Sequence, residues 1–342
     1  MDTAYFLISL LNGLSLGLLL FMLASGLTLI FSMMGVLNFA HASFYMLGAY
    51  IAFSLTQVIG FWWGLLLAPP LVGLLGAGFE RFALRRVHKF GHVPELLITF
   101  GLSYLVFELV NLVWGRQALN FVPPPSLREP LFTIVQLPAS GLSLAWGMPP
   151  LECASVAGAM CTQFPSFRAF GMGVAMLMLV AVWLLLTRTR IGLVIQAALT
   201  HPEAVEALGH NVPRVFMLVF GGGTALAALA GVIGGVLRVT EPAMAGAVGA
   251  VVFAVIVIGG MGSLAGAFVA SVALGLIDSF AVGSDGSLAD VFAWLGSPVS
   301  PASFGYAVWS VKMSQVAAIL PYLLLVLILI FRPKGLFGTR EG

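Results

Sequence analysis

Residues Thr187–Arg214, TRTRIGLVIQAALTHPEAVEALGHNVPR, set a polar, basic segment between two long apolar runs. Its centre reads as a short helix. Thr200 is placed to cap the N-terminus, and Glu203 three residues later completes a capping box. Pro202 falls in the first turn, where a missing N–H costs nothing. Glu203 and Glu206 sit near the positive end of the helix dipole. Gly209 is a natural C-terminal stop, and Pro213 blocks continuation. The pattern predicts two turns, about 12 Å long, with Val205 and Leu208 on one side and the glutamates on another. A helix that short is unstable alone, so it needs its own bundle beneath it and a partner groove above it. Taken by itself, the segment also reads as an ordinary loop carrying one capped helix.

The rest of the chain supplies the bundle. Of 342 residues, 60% are hydrophobic and 8% charged, and the mean hydropathy is +1.08. A soluble domain carries about 25% charged residues. These charges are too few to coat a globule, so lipid is the outer solvent. No basic residue precedes the first apolar run, as a cleaved signal peptide requires, so that run is expected to be a retained span. Apolar runs of spanning length lie near 5–33, 36–58, 61–80, 94–114, 168–187, 214–237, 247–262, 264–281 and 315–332. The expectation is one all-α polytopic membrane domain over 1–342 with about 8–9 transmembrane helices. The tight Gly262-Ser263 junction makes 247–281 the pair in which one segment can dip in and return.

Basic residues cluster after the third run (Arg81, Arg85, Arg86, Lys89), around the motif segment (Arg188, Arg190, Arg214) and at the end (Arg332, Lys334, Arg340). Nine crossings put all three clusters on one face, and the positive-inside rule makes that face cytoplasmic. The N-terminus is then outside and the C-terminus cytoplasmic. The stretch 188–213 becomes a cytoplasmic loop, and the Pro-, Ser- and Gly-rich stretches 115–167 and 282–314 become external loops. Cys153 and Cys161 share the first of these; they form a local disulfide if it faces an oxidising compartment, or stay as two free thiols. Glycine pairs four apart (Gly13 and Gly17, Gly60 and Gly64, Gly262 and Gly266) suit close helix packing in lipid.

Two acids fall in or near spans, where charge is costly. Asp278 is placed to reach the outer interface. Glu108, midway along its span, is expected to face protein, either bonded to a residue such as Asn12 or Asn38 or contacting a solute ammonium. Asn38, His41, Ser43 and Tyr45 form a polar island after Gly35. That island is either a broken helix lining a cavity or a helix end capped at the cytoplasmic interface; Asn38, His41 and Tyr45 are carried as candidates for the translocation path. His88 and His92 read as residues of a solvated basic loop. No metal-ligand spacing occurs, and the fingerprint-like GMGSLA at 260–265 lacks the strand and acid that would give it meaning.

Glu203-Ala204-Val205 followed by Gly209 resembles the E-A-A-x-x-x-G coupling motif of ATP-binding-cassette importer permeases, with Val205 in the third position. Asn38-Phe39-Ala40-His41 with Tyr45, Met46, Gly48 and Ala49 resembles the N-F-A-H-x-x-x-Y-M-x-G-A segment of branched-chain amino acid permeases. So do Phe100-Gly101, the run Leu226–Val232, Gly259–Ser263 and the ending Arg332–Gly338. Each is short, but their order is specific, and together they reach from about Leu11 to Gly338. The outer loops around 140–165 and 282–312 look longer than is usual for the family.

The resemblance implies a permease subunit of an importer in the bacterial inner membrane, moving branched-chain or related small amino acids by alternating access. It implies a second homologous permease, two ATP-binding subunits and a periplasmic solute-binding protein as partners, with no nucleic acid. Glu203, Ala204, Val205, Glu206, Leu208 and Gly209 would couple to the ATPase. No G-x-x-x-x-G-K-[ST] loop occurs, so ATP is expected to be used by the partner chains and no cofactor is expected on this one. Alternatives are urea or short amides as cargo, or a stand-alone channel or secondary transporter. A membrane enzyme would need convergent acids, histidines or nucleophiles, and no such set is apparent.

Overall fold

A computed structural model of the chain describes residues 3–338 apart from 138–140, 151, 157, 295, 298–299, 301–302 and 304; Arg340 lies outside the described residues. Among the described residues the helices of the bundle and its elbow are, in order, α1 (Thr3–Met34), α2 (His41–Ile59), α3 (Phe61–His88), α4 (His92–Trp114), α5 (Ser166–Arg188), α6 (Arg190–Thr200), α7 (Pro202–Ala207), α8 (Val212–Leu237), α9 (Met244–Gly259), α10 (Leu264–Val282) and α11 (Met313–Phe331), with short helices at Glu152–Ser155, Leu288–Trp294 and Tyr306–Trp309 in the two long loops. Eight are long and apolar enough to cross a membrane, and α9, at 16 residues, is shorter. Alpha helices suit this setting because each satisfies its own backbone polar groups where no water can.

α1 and α8 form the centre. In α1, 78% of the apolar window is buried inside the protein, against 11% in α11, which therefore lies at the rim. α1 packs most extensively on α10, and α8 on α3. Glycine makes both contacts. A Cβ on Gly17 would sit 2.7 Å from the Val272 backbone, and one on Gly73 would sit 2.9 Å from the Gly221 carbonyl oxygen. Helix association in lipid depends on such close approach, because apolar burial alone does not favour protein over acyl chain.

The two halves mirror each other. α1, a non-helical segment at 35–40, α2, then α3 and α4 correspond to α8, a segment at 238–243, α9, then α10 and α11. The chain repeats Gly-Val-Leu at 35–37 and 235–237. α1 and α8 run in opposite directions: Ser9 near the start of α1 accepts from Ser279 near the end of α10, whereas Pro213 at the start of α8 accepts from Arg85 at the far end of α3. This is the inverted-repeat plan of many transporters, in which broken helices meet at the repeat interface.

The first break falls differently from the sequence expectation. The run 36–58 is not helical from its start; α2 begins only at His41. Gly35 (φ +63) ends α1, and the Asn38 side chain accepts from the Ala40 N–H at 3.1 Å. Val36, Asn38 and Ala40 are buried. His41 Nε2 donates to the Leu23 carbonyl at 3.0 Å. Leu23 lies eleven residues before the end of α1, about 16 Å along its axis, so α2 starts deep in the bundle. The polar island is thus a buried break and not a cap at the interface.

The stretch 115–167 is more than loop. It holds a three-stranded antiparallel sheet in the order β2-β1-β3: β1 (Pro130–Leu137), β2 (Gly141–Trp146) and β3 (Met160–Pro165). Ile134 and Phe164 pack on Ala4 and Ile8 at the start of α1. Cys161 on β3 is joined to Cys153. This addition leaves the chain mostly helical. The stretch 282–314 follows the α10 end that meets Ser9, so both long loops sit at the same end of the bundle.

If the α1–α10 contact holds the fold, Gly275→Leu, whose Cβ would meet the Gly17 and Gly13 backbone, should abolish accumulation of monodisperse protein in detergent. Gly78→Ala, which meets nothing within 4 Å, should leave the elution profile unchanged. A normal profile for Gly275→Leu would show the contact to be dispensable.

Candidate functional sites: the basic-end helix and a charged cavity

The motif segment folds as an elbow. Thr189 caps α6 by accepting from the Gly192 N–H, and Asn211 caps α8 by accepting from the Arg214 N–H, each at 3.0 Å. Between them α7 covers six residues. The capping box expected from the sequence is absent: Thr200 is the last residue of α6, and His201 takes the N-cap position without a side-chain cap bond. α6 continues one residue too far for Thr200 to serve, and Ile195 and Ala198, both buried, hold it on the bundle. The C-terminal stop does form. Gly209 (φ +87) donates to the Glu206 carbonyl at 2.9 Å and His210 donates to the Val205 carbonyl at 3.2 Å, the paired bonds of a Schellman end.

Val205 is buried in the main core and anchors α7. Leu208 was expected beside it but is 79% exposed, with Glu203, Ala204, Glu206 and Gly209 also exposed. One apolar residue grips the bundle, and Glu203, Ala204, Glu206 and Ala207 present outward. The described members of all three basic clusters lie at this end. Arg85 donates to both Glu80 carboxylate oxygens and to the Pro213 carbonyl, tying α3 to the start of α8. The C-terminal strap pairs with the end of α9 (Leu336 N–H to Ile258, Phe337 N–H to Gly259).

His88 and His92 are not merely solvated. Both reach Glu95, which is 1% exposed, His88 by a close contact and His92 at 3.3 Å. Among the described residues no group of three or more His, Cys, Asp or Glu is arranged to hold a metal ion.

The path candidates separate. Asn38 and His41 are buried; Asn38 Oδ1 and His41 Nε2 bond to backbone, while Asn38 Nδ2 and His41 Nδ1 have no protein partner. Glu108 does not face protein; it is exposed on the outer face of α4 beside Tyr104, Leu105 and Leu112. The residues suggested as its partners are occupied elsewhere, Asn12 with Arg168 and Asn38 with the Ala40 N–H. Helical phase explains the miss: Val106 and Val110 carry the buried stripe of α4, which places Glu108 opposite.

Tyr45 is the candidate that reaches a cavity. This space of about 230 Å³ lies between α1, α9, α10 and α11, and Leu16, Leu19 and Leu23 line it together with Tyr45, Arg238 and Asp278. The Tyr45 hydroxyl is buried without a protein partner, a state that costs about 1–3 kcal/mol. Gly234 leaves room for it, since a Cβ there would overlap the ring. Asp278 lies four residues before the end of α10, at the end of the bundle that carries the sheet, and lines this cavity and the adjoining vestibule of about 420 Å³, which contains Asn12 and Arg168. Arg238 lines both and was not singled out in the sequence. Its signal was its place, a lone cation directly after the apolar run 214–237. At the same end of the bundle, Asp290 accepts from the Ser287 N–H and hydroxyl at 2.7 Å each, which holds its carboxyl below its usual range.

A model described as the permease component of a branched-chain amino acid transport system matches residues 9–331. The chain is 27% identical over 353 residues to the high-affinity branched-chain amino acid transport permease protein BraD of Pseudomonas aeruginosa, covering 98% of this chain and 97% of that one. It is 26% identical over 348 residues to LivH of Escherichia coli K12, with the same coverage. A probable LivH of Methanocaldococcus jannaschii is 26% identical over 269 residues, 76% of each chain. No solved structure matches.

Because Glu80 is 1% exposed and, among the described residues, is paired through Arg85 alone, Arg85→Met should strand a buried carboxylate at a cost of about 3–5 kcal/mol and lower the melting temperature in detergent. Adding Glu80→Gln should recover part of that loss. Equal melting of wild type and the single variant would show the pair to be inert.

Proposed function

The chain belongs to the branched-chain amino acid transport permease family, and from that membership we propose that it is the membrane-spanning subunit of an ATP-driven importer. Its cargo is branched-chain or related small amino acids. In this reading it lies in the bacterial inner membrane with its basic end in the cytoplasm, as the positive-inside rule favours. It pairs with a second homologous permease and two ATP-binding subunits, and it receives solute from a periplasmic binding protein at the end that carries the sheet.

The observation that carries the reading is α7. It is a six-residue helix with Val205 anchored in the core and Glu203, Ala204, Glu206 and Leu208 turned outward at the basic end. A helix of this length gains little by standing proud of a bundle, so a partner cleft is the natural counterpart for its outer face. Through Val205, and through Arg85 on Pro213, movement of such a partner would reach α3 and α8. Those helices pack backbone to backbone, so a push on α7 would move them as rigid bodies and alternate the access of the cavity.

Gly209→Pro cannot adopt φ +87, and Glu203→Arg places a cation at the positive end of α7. Both variants should assemble in the membrane yet lose ATP-driven uptake by about tenfold or more. Co-purification in mild detergent should recover an ATPase and a second permease with the wild-type chain. Normal uptake in both variants, or a lone chain that transports without ATP, would replace the importer by a facilitator or secondary carrier.

A further inference from the structure

We infer that the cavity between α1, α9, α10 and α11 binds one zwitterionic amino acid, with its carboxylate on Arg238, its ammonium on Asp278 and its apolar side chain against Leu19 and Leu23. The inference rests on the importer reading for the direction of transport, but its chemistry comes from the cavity itself.

Arg238 and Asp278 line the same space. Among the described residues neither side chain makes a hydrogen bond, and they form no ion pair with each other, whereas Arg85 and Glu80 or Lys312 and Asp285 do pair. Two opposite charges held apart across one cavity are matched by a ligand that carries both signs. Within the cavity a simple anion would leave Asp278 uncompensated and a simple cation would leave Arg238 so; Arg168, which donates to Asn12, adds a second cation in the adjoining vestibule. A neutral amide such as urea would neutralise neither, which sets the amino acid apart from that cargo. Asp278 is half-buried, whereas Arg238 is exposed where cavity and vestibule join, and ionisable groups placed within a helix bundle mark solute paths.

The remaining walls fit the other half of the molecule. Leu16, Leu19, Leu20 and Leu23 of α1 present a continuous apolar strip to the same cavity, and Val248 of α9 adds to it. Tyr45 lines the same space; its hydroxyl lies beside Gly234, buried and without a protein partner. The route in is also present. The polar vestibule shares Leu16, Leu19, Arg238 and Asp278 with the cavity and opens beside Tyr5 and Gly283, at the end of the bundle that carries the sheet. Below Leu23 the way is closed where α1 and α8 touch at Gly26 and Gly223. A solute therefore meets its two charge partners at the junction of vestibule and cavity before its side chain reaches the leucines.

The test uses the full chain in lipid nanodiscs and L-leucine, with binding read by saturation transfer to the leucine methyls. Competitors are 4-methylpentanoate, which lacks the ammonium, and leucinamide, which lacks the carboxylate, at a pH that keeps its amine protonated. Wild type should bind leucine and discriminate against each competitor by about tenfold or more. Asp278→Asn should lose discrimination against 4-methylpentanoate only, and Arg238→Gln against leucinamide only. No leucine binding by wild type, both variants keeping full discrimination, or either variant losing both together would overturn the site, since a merely structural role moves both at once. ATP-driven leucine uptake by the reconstituted complex separates the two claims. Uptake that is insensitive to Asp278→Asn and Arg238→Gln removes the site and leaves the importer. Selective binding without any ATP-driven uptake removes the importer and leaves the site.

Discussion

Backbone contact between antiparallel helices, permitted by glycine, is the constraint on which this structure depends. α1 meets α10 through Gly13, Gly17 and Gly275, and α8 meets α3 through Gly73 and Gly221. In water, larger side chains could hold such helices by apolar burial. In lipid that term nearly vanishes, and the gain comes from close packing of main chain on main chain. The same contact occurs twice between the halves, each time joining the first helix of one to the third helix of the other, because the halves are built on one plan and inserted in opposite senses.

That plan has a cost which becomes useful. Each half breaks a helix inside the bundle, at 35–40 and at 238–243, and the freed backbone groups must be satisfied by protein. In the first break Asn38 serves Ala40, and the adjacent His41 serves Leu23 of α1. In the second, the Thr240 carbonyl accepts from the Leu119 N–H. Satisfying these breaks ties α1, α2 and the outer segment together, and it leaves Tyr45 and Arg238 beside a cavity instead of inside a helix–helix seam. Broken helices therefore place polar chemistry at a depth where continuous ones would present only side chains of a packed face.

The elbow at the other end obeys different physics. α6 and α7 are too short to hold themselves, so Ile195, Ala198 and Val205 fix them to the bundle. The Schellman end at Gly209 was readable in the sequence because only glycine readily supplies that left-handed turn. The N-terminal cap was not, since Thr200 could end one helix or begin the next, and the choice depended on how far the buried stripe of α6 runs.

The sequence by itself determined the membrane class, the long helices, the gathering of basic residues and the motif helix with its glycine stop. These follow from local quantities: mean hydropathy, run length, and the backbone preferences of Gly, Pro and Asn. The tertiary structure alone decided which way each polar side chain points. Glu108 and Asp278 are both acids within apolar runs, yet one lies on the outer face of a rim helix and the other lines a cavity. Hydropathy has no phase when nearly every residue of a span is apolar, so the buried side of α4 could not be read in advance. It also carries no record of partners distant in sequence, so the meeting of Tyr45, Arg238 and Asp278 appeared only once the two inverted halves were folded against each other.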